Sequence, residues 1–81
     1  RIVALENAPP DIVGALADAL GNAGRNAEAA EEWARLVQLR PDLADAHLNR
    51  AVTLARAGRA EESLAAAEHG LAHFRGHPRL L

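Results

Sequence analysis

The chain has 81 residues, no cysteine, and a formal charge of −2 spread over mixed acids and arginines. A chain of that size holds one small core; the lack of thiols excludes disulfide frameworks and thiolate metal cages, and the lack of a basic patch argues against nucleic acid as a partner. No apolar run approaches the roughly 20 residues that cross a bilayer, and the first residues show no basic start followed by an apolar stretch, so a soluble domain is expected, with the cytoplasm as default compartment.

The chain begins at Arg1, which suggests a piece of a longer protein, and all its basic residues other than histidine are arginine. With the heavy use of alanine, the latter reads as coding bias. Residues 1–9, with Ile2, Val3 and Leu5, read as a short helical tail that ends before Pro9.

A first full helix is expected over 11–23. Pro10 suits its opening turn, and Val13, Leu16, Ala17 and Leu20 have the i, i+3, i+4, i+7 spacing of one buried face. Gly24 ends it, because glycine takes the left-handed conformation of a helix stop at little cost. Asn26 is the candidate N-cap of a second helix over 27–39, whose Ala29, Ala30, Trp33 and Val37 share a face until Pro41 stops it.

A third helix is expected over 43–57, with Asp42 as N-cap, Asp45 three residues on, and Gly58 as the stop. Arg50 is the one charge on its core stripe. Burying it alone costs several kcal/mol, so its stem should snorkel or its head should meet Glu61 or Glu62. The last helix, over 60–74, offers Leu64, Ala67, Leu71 and Phe74 as a buried face and Gly76 as a stop. Strand signals are absent, and the apolar residues are mostly alanine and leucine, which favour helix.

These elements repeat. The single shift that places Ala23-Gly24-Arg25 on Ala57-Gly58-Arg59 also places Leu20 on Leu54, Ala17 on Ala51 and Asp11 on Asp45. It carries Arg1 to Leu5 onto Arg35 to Leu39 as well. The chain divides into the tail of one repeat (1–9), two whole repeats (10–43 and 44–77) and the start of a further one (78–81).

At Leu16-Ala17, Leu20, Gly24, Ala29, Trp33 and Pro41, and again at Ala51, Leu54, Gly58, Ser63, Gly70 and Leu71, the chain resembles the tetratricopeptide repeat family. That family has a period of about 34 residues, the same step that carries Gly24 to Gly58, and alternates small with large residues at set places. The resemblance covers nearly the whole chain. It departs from the family pattern at His47, Arg50 and Leu36, and in the late position of Pro78. The fold it implies is all-α: antiparallel hairpins stacked as a right-handed superhelix of about two and a half repeats, whose first helices line a concave groove.

The groove residues implied by the resemblance are Asp11, Ala15, Asp18 and Asn22, then Asp45, Leu48, Asn49, Val52 and Arg56. Asp11, Ala15, Asp18 and Asn22, like Asp45, Asn49, Val52 and Arg56, have i, i+4, i+7, i+11 spacing and so share one helix face. The partner implied is a peptide or protein segment, and Asp11 with Asp18 favours a basic or neutral one. The basic residues with which some members hold acidic chaperone tails are nearly all missing. Asn49 can offer donor and acceptor together to a peptide backbone.

His69, His73 and His77 recur every fourth residue, a spacing that can place imidazoles on one metal, but a solvated face is the simpler reading and no metal site or cofactor is assigned. No catalytic constellation emerges: Ser63 and Thr53 lie inside helices, and the glycines mark helix ends. Three functions stay open: a binding scaffold, a self-association element whose apolar ends pair with another copy, and a docking appendage of a fused enzyme.

Overall fold

The computed structural model describes residues 9–75, and all regular structure among them is helical. Four helices follow in order: α1 (Pro10–Asn22), α2 (Asn26–Leu39), α3 (Ala44–Arg56) and α4 (Ala60–Arg75). Each packs against the one before it, and connections of three or four residues turn each helix back on its predecessor. The expected tail over 1–8, the Gly76 stop, and His77, Pro78, Leu80 and Leu81 lie outside the described residues.

Local chemistry sets the helix ends close to where the sequence places them. α1 starts with Pro10 in its first turn, where a missing N–H costs no helix bond. It closes in a Schellman turn: Gly24, at φ +82°, donates its N–H to the Gly21 carbonyl at 3.0 Å, and Arg25 donates to Leu20 at 2.9 Å. Gly58 repeats this after α3, with its own N–H on Ala55 at 3.0 Å and that of Arg59 on Leu54 at 2.9 Å.

Two N-cap expectations need correction. α2 begins at Asn26 itself, with Arg25 in the cap position and no side-chain cap bond. The Schellman turn draws the Arg25 N–H back to Leu20, so helical geometry resumes one residue earlier than expected. Asn26 is half-buried, and its Oδ1 accepts no hydrogen bond among the described residues. Likewise Leu43, not Asp42, caps α3. Asp42 is held instead by Arg40, whose Nε and Nη2 donate to its two oxygens at 3.1 and 3.0 Å. The hydrogen bonds from Arg40 hold the Asp42 carboxyl below its usual range.

The core has two centres. Around Trp33 gather Val13, Ala17, Ala29, Leu36, Val37 and Ala46, with Leu20 and Leu43 packed against them. Ala30, Ala51, Leu54 and Ala66 form the second, where α2, α3 and α4 meet. Each fully buried large side chain contributes roughly 1.5–3 kcal/mol. The expected α1 stripe holds at Val13 and Ala17, while Leu16 stays 36% exposed.

The expected buried face of α4 is corrected more strongly. Leu64 is 61% and Leu71 53% exposed, and Ala67 is exposed too. Inside are Ala66 and Gly70, with Ser63 half-buried, because those positions meet α3. One repeat earlier, Ala30, Trp33 and Val37 occupy the places of Leu64, Ala67 and Leu71 and are buried where α3 packs on α2. Among the described residues no helix follows α4 to do the same.

Candidate functional site

The nine expected groove residues sit on α1 and α3, the first helix of each pair. Asp11, Ala15, Asp18 and Asn22 are exposed along α1; on α3, Asp45, Leu48 and Arg56 are exposed and Asn49 and Val52 half-buried. The two helices approach each other at Gly21, where an added Cβ would stand 3.9 Å from the Thr53 methyl. Thr53 turns inward, its hydroxyl donating to the Asn49 and Arg50 carbonyls at 2.8 and 3.1 Å. The half-buried Asn49 side chain makes no hydrogen bond among the described residues.

The charge balance of this surface is acidic, with Asp11, Asp18 and Asp45 against Arg56. Asp11 also lies near the end of α2: Arg40 is held above its usual range mainly by its hydrogen bonds to Asp42, with Asp11 adding a smaller attraction. Leu48 and Arg56 reach two different clefts. Arg56 joins Gly24, Arg25, Glu28 and Ala57 around the two glycine turns. Leu48 lines an apolar cleft of about 250 Å³ between α3 and α4, with Ala44, His47, Gly70, Leu71 and Phe74.

His47 is the functional-type residue that sequence reasoning placed least well. It is 5% exposed, and its Nε2 lies 2.9 Å from the Pro41 carbonyl, which fixes Nε2 as the donor and leaves Nδ1 buried without a hydrogen-bond partner among the described residues. His73 stacks on its ring at 5.7 Å between centroids, and His69 and Phe74 stand at the same separation in tilted and edge-on arrangements. Among the described residues no three histidine, aspartate or glutamate side chains converge as metal ligands. The signal that could have found this cluster is Gly70 in mid-helix, a position glycine occupies at a cost of roughly 0.5–1 kcal/mol unless something must approach closely. Here a Cβ would stand 2.8 Å from the Cβ of His47.

Arg50 is half-buried and lines clefts among α2, α3 and α4, close to Glu31 and Glu62. Of the two arrangements expected for Arg50, a snorkelling stem or a pair with Glu61 or Glu62, the pair is absent among the described residues, and Arg59 pairs with Glu62 at 3.6 Å. The two hydroxyls considered for chemistry are both spent on backbone, Thr53 as above and Ser63 donating to the Ala51 carbonyl at 2.7 Å across the α3–α4 seam. No helix of the described residues is long and apolar enough to cross a membrane. No family model, curated protein or solved structure matches the chain.

Proposed function

We propose that the chain is a tetratricopeptide-type interaction module, not an enzyme, that binds a peptide or protein segment along the outer faces of α1 and α3. One observation carries this reading: the register of the sequence repeat recurs in three dimensions. α1 and α3 begin and end one repeat apart, at Pro10 and Ala44 and at Asn22 and Arg56, and α2 and α4 start one repeat apart, at Asn26 and Ala60. The glycine turns after α1 and α3 share the same φ and the same pair of hydrogen bonds. Stacked hairpins of this kind present their first helices side by side as a continuous surface. On that surface the exposed acids and the half-buried amide of Asn49 suit a basic or neutral segment held partly by its backbone.

Display selection of peptides against the chain tests this. Selected peptides should carry basic or neutral residues, and Asp18→Arg with Asn49→Asp should weaken them by about tenfold or more, roughly 1.4 kcal/mol, with helicity unchanged. Glu31→Lys with Glu68→Lys, on other faces, should leave affinity within about twofold. Equal losses from both pairs, or peptides insensitive to Asp18 and Asn49, would refute the assignment.

A further inference from the structure

We infer that the apolar cleft on the outer side of α3 and α4 is the seat for helix α1 of a second copy of this chain, so that copies stack head to tail. This goes beyond the peptide-binding reading, and of the nine groove residues only Leu48 lines the cleft. The template is the seam already inside the molecule, where α3 lies on α2. There Ala46 is 1% exposed in the cluster of Trp33, Leu36 and Val37, Leu43 packs beside it, and Arg50 lies along Ala34 and Val37.

Shifting each side of that seam by one repeat gives the two outer surfaces. On the receiving side, Trp33, Leu36 and Val37 become Ala67, Gly70 and Leu71. On the entering side, Ala46 and Arg50 become Ile12 and Leu16. The receiving side has thus lost an indole at its open surface, the room at Gly70 being filled by His47 of the same chain, while the entering side has exchanged a methyl and a charged chain for two branched apolar ones. The sizes trade places, which is how one packing density can be kept with different residues.

Exposure agrees with this exchange. The receiving side is open as the cleft of about 250 Å³, lined in part by Leu48 at 60% and Leu71 at 53% exposure, with Leu64 at 61% nearer the start of α4. On α1, whose Val13 and Ala17 already face the core, Ile12 at 55%, Leu16 at 36% and the exposed Ala19 form a second apolar stripe at i, i+4, i+7 spacing. No charge interrupts Ile12, Leu16 and Ala19, nor Leu64, Ala67, Leu71 and Phe74. A helix apolar on two sides is one that expects a neighbour on each. The two surfaces differ, so the contact is heterologous, and every pairing leaves one α1 and one cleft to extend the stack.

Sedimentation equilibrium of the 81-residue chain from micromolar to millimolar concentration tests the inference. The parent should associate with rising concentration, past the mass of a dimer. Ile12→Glu and Leu71→Glu, both at exposed positions and each disabling one surface, should be helical and monomeric by themselves. Mixed in equal amounts they should form a one-to-one pair and nothing larger, because only the intact cleft of the first and the intact α1 of the second remain. A strictly monomeric parent, single variants that associate like the parent, or a mixture that fails to pair would each overturn it. So would a monomeric parent that associates only after Leu80→Glu with Leu81→Glu, since those residues share the register of Ala46 and His47 and would then cover the cleft from within the chain.

Discussion

At matching places one repeat apart, the two hairpins solve the same packing problem with opposite choices of size. In the first, Val13 and Leu36 belong to one buried apolar cluster closed over by Trp33. In the second, the counterparts are His47 and Gly70, and the place of Trp33 is taken by exposed Ala67. A large ring has moved onto α3 and the bulk on α4 has been withdrawn to admit it. The backbone period is kept while the energetic centre is not: the first hairpin is held by apolar burial around Trp33, the second by one histidine, the buried Leu54, an interhelical hydroxyl bond from Ser63, and the small Ala51 and Ala66. The difference teaches that repeat identity lives in helix ends and spacing, and that side-chain volume is traded across each seam.

Removing the centre of the first hairpin should break this comparison most severely. Trp33 is 7% exposed and bridges α1, α2 and α3 through its cluster. Trp33→Ala should therefore cost about 3–5 kcal/mol, the usual loss for emptying a large core site. Stability of a domain this small is commonly of that order or not much greater. Urea titration followed by circular dichroism should show a variant unfolded, or nearly so, in the absence of denaturant. Ala67→Gly at the matching place of α4 should cost no more than helix propensity, about 1 kcal/mol.

The second hairpin should be sensitive where the first is tolerant. Gly70→Ala puts a methyl 2.8 Å from the His47 Cβ, an atom with no rotamer by which to withdraw. The overpacking should cost about 1–3 kcal/mol, although alanine is the better helix former. In a His47→Gly background, which removes that Cβ, the same change should become neutral or slightly favourable, and the resulting double-mutant coupling of about 1–3 kcal/mol would tie the effect to that contact. A Gly70→Ala penalty that survives the loss of His47 would mean that α4 cannot carry a side chain there for some other reason.

Most of the fold was legible in the sequence because its punctuation is local. Pro10, Gly24, Pro41 and Gly58 act through their own φ angles and missing donors, so helix ends could be placed within about a residue of those observed. The Trp33 face was equally legible, since its apolar spacing is covered from two sides. The α4 face was not. Leu64 and Leu71 carry the spacing of a buried stripe, but burial also requires a neighbour, and periodicity does not say whether one is present. His47 was missed for the converse reason: a polar ring on a core position looks like a departure until the glycine opposite is seen to make room for it. Of the groove residues, Asp11, Ala15, Asp18, Asn22, Asp45, Leu48 and Arg56 are exposed and Asn49 and Val52 half-buried, but exposure is common to much of any surface and does not by itself single out a binding site.

The smallest expected effect is the one that tests how far the two repeats are the same object. Gly24 and Gly58 both sit at φ +82°, both follow a cap residue near φ −80° and ψ 1°, and neither has an atom within 4 Å of where a Cβ would stand. Alanine at either place would meet no steric neighbour and would pay only for the left-handed backbone, about 1–2 kcal/mol, offset in part by the narrower unfolded ensemble of an alanine chain. The flanking chemistry matches too, since Arg25 pairs with Glu28 and Arg59 with Glu62, each three residues on along the helix that follows. Gly24→Ala and Gly58→Ala should thus each destabilise by about 1 kcal/mol and agree with each other within about 0.5 kcal/mol, the scatter expected of independent surface changes. Thermal or urea unfolding of the two variants measures this directly. A clear inequality would show that the turns, identical in geometry, carry different loads, and that the asymmetry of the two cores reaches the helix ends.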